Sequence, residues 1–155
     1  MKRMSNALAI ALTIAGLSAC NSNSNQNQES VQTSQNQEHN LEDLEGIYEY
    51  QENRDTIRLA LAVEKDSLVG DLTYSLFEKD KNVGKFKGVL QDSLIVGEYQ
   101  FMSEGIESTW EKVFGIVPSG LIEGFGDIID ENGRVKFANK NNLRFDHGML
   151  LKKIN

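Results

Sequence analysis

The chain of 155 residues holds one cysteine, one proline and two histidines, and each scarcity closes a line of chemistry. With Cys20 alone, no disulfide can form within the chain. Zinc and copper sites draw on several thiolate or imidazole ligands. His39 sits in a polar segment, so only His147 is left for a folded part, and no transition-metal site or other cofactor is expected. A serine hydrolase would have the same single imidazole to draw on, and no Gly-x-Ser-x-Gly elbow is present. Gly124-Phe125-Gly126 lacks the third glycine and the following helix of a dinucleotide fingerprint. Positive charge is also short: 16 Lys and Arg stand against 23 Asp and Glu, a formal charge of −7. Such a chain repels phosphate backbones, which argues against a nucleic-acid partner. No apolar run approaches the roughly 20 residues that span a bilayer as a helix.

The stretch Leu17-Ser18-Ala19-Cys20 carries the most readable information. Ahead of it stand Lys2 and Arg3 and an apolar run from Ala7 to Leu17, the layout of a secretory signal peptide. Small residues at Ser18 and Ala19 let a peptidase reach the backbone, and Cys20 follows at once. Residues 1–19 are therefore expected to be a lipoprotein signal peptide and Cys20 the lipidated residue. The motif resembles the general bacterial lipoprotein signal, which implies a diacylglyceryl thioether on Cys20 and usually an acylated amine. Several acyl chains, at about 0.8 kcal/mol per buried methylene, hold a protein on a membrane essentially permanently. The expected location is the bacterial cell envelope. Asn21 stands where an aspartate would resemble an inner-membrane retention signal, so the outer membrane is favoured, and the first acid arrives only at Glu29.

Residues 21–40 are nearly all Asn, Gln and Ser, with Val31 the one aliphatic, and cannot bury a core. They read as a tether with an r.m.s. reach of about 25 Å. Every Phe, Tyr and Trp falls between Tyr48 and Phe145, so the folded domain is expected over residues 41–155. Asn40 as N-cap, Asp43 and the stop at Gly46 predict one short helical turn.

The rest alternates as strands do. Ile57, Leu59, Leu61 and Val63 share one face, then Leu68, Gly70, Leu72, Tyr74 and Leu76, then Gly84, Phe86, Gly88 and Leu90, with short polar turns between. Ile95, Tyr99 and Phe101 continue the inward set. From Ile106 to Val117 the phase blurs, because Trp110, Phe114 and Ile116 share a face with Lys112, and a bulge is the expected cause. Leu121 to Ile129 is expected as one strand, bent or closely approached at Gly124 and Gly126. Asn132-Gly133 signals a hairpin into Arg134 to Phe137. Leu143 to Phe145 is a candidate short strand, and Met149 to Ile154 is expected to return to Tyr48 and Tyr50. Eight or nine strands in an antiparallel up-and-down meander predict an all-β fold closed into a small barrel, which leaves no exposed edge. A β-sandwich is the alternative.

Blocks such as Gly46-Ile47-Tyr48-Glu49-Tyr50, Asp55-Thr56-Ile57, Gly70-Asp71-Leu72-Thr73-Tyr74, Glu78-Lys79-Asp80-Lys81-Asn82, Ser103-Glu104-Gly105-Ile106-Glu107-Ser108 and Glu123-Gly124-Phe125-Gly126 resemble small uncharacterised lipoproteins common in Bacteroidetes. The architecture is similar to lipocalin-like and streptavidin-like barrels, a likeness that implies ligand binding and no particular activity.

Acidic groups offer only weak candidates. Asp127, Asp130, Glu131 and Asn132 cluster at a turn without the EF-hand spacing, and Asp80 and Asn82 are interleaved with lysines. Glu98, Glu104, Glu107, Glu111 and Glu123 offer carboxylates for glycosidase chemistry, but strand alternation places most of them on a wet outer face. Tyr48, Tyr50, Tyr74, Tyr99 and Trp110 are the candidate ligand-lining residues, either as an aromatic mouth or as barrel filling. Lys85 and Lys87 read as a solubilising outer face. The expected function is a non-enzymatic, membrane-anchored binding module for a small hydrophobic or amphipathic ligand. The alternatives are a protein-interaction or inhibitor module that offers acids near Glu104 to Glu111 to a basic envelope protein, and a structural envelope lipoprotein.

Overall fold

The computed structural model describes residues 39–103 and 105–154; Leu17, Ser18, Ala19 and Cys20 lie outside them. Asn40 caps a 3-10 turn, Leu41–Leu44, by accepting from the Glu42 amide. Ten strands follow: β1 Gly46–Glu52, β2 Asp55–Glu64, β3 Ser67–Ser75, β4 Asn82–Gln91, β5 Leu94–Ser103, β6 Ile106–Val117, β7 Gly120–Glu123, β8 Ile128–Glu131, β9 Arg134–Phe137 and β10 Leu150–Lys153. Among the described residues no helix is long and apolar enough to cross a membrane.

β1 to β7 run as an antiparallel meander, β10 pairs with both β7 and β1, and the ring of eight strands is closed. The fold is thus the expected all-β barrel, similar in architecture to lipocalin-like and streptavidin-like barrels. Alternation dictates its interior. Ile57, Leu59, Leu61, Leu68, Leu72, Phe86, Ile95, Phe114, Leu121 and Leu151 are buried there, while their strand neighbours face outward. Gly88 and Gly97 lie opposite each other on β4 and β5, and the Phe86 ring folds over both. A Cβ on Gly97 would stand 2.7 Å from that ring, so the missing side chain is what admits the aromatic.

Two strand expectations are corrected. β6 contains no bulge: its register with β5 runs unbroken from Leu94↔Gly115 to Ser103↔Ile106. The phase blurs because Lys112 itself faces inward. Leu121 to Ile129 is two strands, not one. After Glu123 the chain leaves the barrel wall, makes a single bridge between Phe125 and Arg144, and re-forms as β8. The departure point is set by packing, since a Cβ on Gly124 would meet the Phe145 ring at 2.8 Å and one on Gly126 would meet Leu143 at 2.9 Å. The Asn132-Gly133 hairpin forms as expected, with φ of 57° and 82° at the two turn residues. β10 pairs with Tyr48 and Glu49, one position short of Tyr50.

The two ends of the barrel differ. The 3-10 turn sits where β2 finishes, near Leu61, and buries Leu44 in the core. At the other end β6 runs on past its four-residue partner β7, and its exposed edge takes the parallel β9 at Thr109 and Trp110. The wall is incomplete there, and a recess opens.

Candidate functional site

The recess encloses about 410 Å³ and is walled by inward residues of β3, β5 and β6, with Phe125 and Met149 closing it from the segments beside β7 and β10. Register explains the company each residue keeps. Tyr99 on β5 faces Trp110 on β6, and Phe101 faces Ser108. Tyr74 reaches in from β3 across the interior. The rings form a continuous series. Tyr74 meets Tyr99 edge to face at 5.7 Å, Tyr99 stacks on Phe101 at 4.7 Å and 13°, and Phe101 meets Trp110 edge to face at 6.1 Å. Trp110, 38% exposed, stands at the mouth.

The floor is polar. Phe114 on β6 pairs with Glu123 on β7, and Lys112 precedes Phe114 by two residues on the same face, so an ammonium and a carboxylate meet inside the barrel. Lys112 Nζ donates to Glu123 Oε1 at 2.6 Å and the Tyr74 hydroxyl donates to Oε2 at 2.8 Å. Glu123 is 2% exposed and the Lys112 side chain 12%. A carboxylate so buried is tolerated because both of its oxygens are bonded. Lys112 Nζ also lies 4.8 Å from the Tyr74 ring centre and 5.6 Å from that of Trp110, occupying the faces of both aromatics.

Burial, then the negative charge and hydrogen bond of Glu123, hold the Tyr74 phenol well above its ordinary range. Burial, then the charge of Glu123, raise that of Tyr99 in the same sense. Both are neutral donors at physiological pH. They differ in one respect. Tyr74 has its acceptor, whereas the buried Tyr99 hydroxyl has no partner among the described residues.

His147 pins the closing segment. Its Nε2–H donates to the Glu123 carbonyl at 2.5 Å while Nδ1 accepts from the Met149 amide at 3.3 Å, an arrangement assigned from the bonding, since a carbonyl only accepts. Phe125 packs edge-on against the imidazole at 4.3 Å. The lone histidine of the domain thus holds in place the two residues, Phe125 and Met149, that narrow the mouth.

Of the five aromatics expected to line a ligand site, Tyr74, Tyr99 and Trp110 meet in the recess. Tyr48 and Tyr50 do not. Tyr48 is core, and its hydroxyl donates to the Leu44 carbonyl at 3.0 Å, tying down the 3-10 turn. Tyr50 donates to Glu52 at the surface. Glu123 is corrected from a nominal acid among several to the buried carboxylate of the site. Sequence reasoning left it unpartnered, although Lys112 on the inward phase of β6 was the signal that an acid had to face it. Glu98 and Glu111 lie on the outer face, where they bond Arg134 and Lys140. Among the described residues no three His, Cys, Asp or Glu side chains are grouped to hold a metal ion. A groove of about 570 Å³ also crosses the outside of β2 to β5 over Ala60, Ala62, Val69 and Lys85, without the aromatic wall or buried polar floor. No protein-family model, curated protein or solved structure matches the chain.

Proposed function

We propose that this protein is a lipid-anchored envelope lipoprotein of the Bacteroidetes type whose barrel is a non-enzymatic binding module for a small hydrophobic or amphipathic ligand. One observation carries the reading: a recess of about 410 Å³ at the open barrel end combines a wall of four aromatic rings with a few fixed polar groups. Ligand sites are typically concave, mostly apolar and about 300–1,000 Å³, with a small number of placed polar groups. The Glu123 carboxylate already accepts from Lys112 and Tyr74, one bond on each oxygen, and the reading gives it a structural role in the floor rather than that of a general base.

Every described strand pairing and core residue lies within the compact unit Asn36–Asn155, which therefore contains the partners the barrel needs. Native mass spectrometry of this fragment, purified from its bacterial host without detergent, tests the reading. A co-purifying small molecule lost on Trp110→Ala supports it. Empty barrels in repeated preparations, together with unchanged Trp110 fluorescence on titration with apolar probes, would overturn it.

Anchoring is tested apart from binding. In the full chain, Cys20→Ser is expected to move the protein out of the membrane fraction or to leave an unprocessed precursor. Wild-type processing and membrane partition in that variant would refute lipidation at Cys20.

A further inference from the structure

The recess is polar at its rim as well as at its floor. Asn82 begins β4 and Ser108 lies near the start of β6, both at the open end of the barrel. Both side chains point inward, because Asn82 pairs with Tyr74 and Ser108 with Phe101, and directly opposed residues share a face. Each is half-buried and lines the recess, so an entering group meets them before the floor. The aromatic series runs from that level down to the Lys112–Glu123 pair. From Ser108 to Lys112 the strand rises about 13 Å. An apolar layer of that depth suits a short chain or a ring, not a long acyl tail.

Four charged residues line the recess, and they cancel in pairs. At the floor Lys112 is bonded to Glu123. At the rim Lys79 and Asp80 are consecutive and exposed to water. An anion drawn to Lys79 meets Asp80 beside it, and a cation drawn to Asp80 meets Lys79. Exposed charges are screened, so a charged head group that gives up hydration to enter regains little from either. Asn82 and Ser108 are neutral, and each both donates and accepts hydrogen bonds. A hydroxyl does the same. A head group with several hydroxyls can therefore bond both at once, accept from Lys79 and donate to Asp80, with no net charge to place.

We propose that the recess takes a short-chain amphiphile whose head group is uncharged and carries several hydroxyls, of the alkyl glycoside or polyol ether class, and that Asn82 and Ser108 select that head. This rests on the binding reading above and adds the length of the ligand's apolar body and the chemistry of its head. The body lies among the aromatic rings, and the head stays at the rim beside the exposed Trp110.

The test uses the fragment Asn36–Asn155, with Trp110, the only tryptophan of the chain, as fluorescent reporter. Five probes that share an eight-carbon chain are titrated at neutral pH, below the concentrations at which they aggregate: octyl glucoside, octene, octanoate, octylammonium and the zwitterion octylphosphocholine. Octyl glucoside is expected to bind about fivefold or more tighter than each of the others, the worth of one net hydrogen bond. In the double variant Asn82→Leu with Ser108→Ala, the ratio of octyl glucoside to octene affinity is expected to fall to about one. The proposal is overturned if a charged or zwitterionic probe binds as tightly as octyl glucoside to the wild type, or if the double variant keeps the preference. The ranking in the wild type decides even if the variant misfolds. Equal binding of octene and octyl glucoside sinks this inference while leaving the binding module intact; binding of none of the five sinks both.

Discussion

Glu123 is the side chain whose loss the recess tolerates least. It is buried, charged and bonded by Lys112 and Tyr74, so Glu123→Gln leaves an ammonium in the interior without its counter-ion. Breaking one side of a buried pair costs about 3–5 kcal/mol, while replacing both members with apolar groups of similar size is often neutral or better. Urea unfolding is therefore expected to show a loss of that order for Glu123→Gln and recovery of most of it in the double variant Lys112→Met with Glu123→Leu. A single-variant loss below about 1 kcal/mol would mean that the pair is screened by water, as surface pairs are. Tyr99→Phe has the opposite sign in the ligand-free protein. It removes an unpartnered hydroxyl, so its stability is expected to equal or exceed that of the wild type. At this scale the sequence was legible in part. Tyr74, Tyr99 and Trp110 fell on inward phases that could be counted, but Tyr48 shared such a phase and proved to be core. Which inward aromatic lines space and which fills it depends on the length of neighbouring strands, a tertiary quantity.

Among the elements, β2 to β5 were readable because each keeps strict alternation across a polar turn, and the structure follows that alternation residue by residue. β6 was misread as bulged because one inward lysine breaks the hydrophobic count, and the count cannot tell a charged inward residue from a slipped phase. The β8–β9 hairpin announced its turn but not its place. It is held to the barrel by two ladder positions on β6, by the Arg134–Glu98 ion pair and by Glu111, which accepts from the Phe137 amide at 3.0 Å through Oε2 and from Lys140 at 2.8 Å through Oε1. Glu111→Gln removes the ion pair but keeps an acceptor oxygen, and Glu111→Ala removes both contacts. Hydrogen exchange at the β9 amides is expected to accelerate about tenfold in Glu111→Ala, with the global unfolding midpoint shifted little, because the hairpin contributes no barrel-closing strand. Uniform acceleration through β1 to β7 would instead show the hairpin to be part of the cooperative core.

For the whole molecule, buried phenols set an alkaline limit. Tyr48, Tyr74 and Tyr99 all titrate above the ordinary value of 10.0, through burial first and, for the latter two, the charge of Glu123. As pH rises through the ordinary phenol range the unfolded chain gives up these protons before the folded one, so stability present below about pH 10 is lost progressively above it. The urea midpoint is expected to fall above that pH, less steeply in Tyr99→Phe; an unchanged slope in that variant would contradict the burial of its phenol. Closure of the barrel has a further consequence. β7 and β10 are neighbours in the wall, yet the chain from Gly124 to Met149 runs between them without contributing a strand to the ring. That excursion carries Phe125, His147 and Met149 to the mouth, and it meets the ring chiefly along β6, through β9 and through Phe145 over Gly115. Exchange of this one stretch of chain would reshape the mouth of the recess while leaving all eight strands of the ring in place.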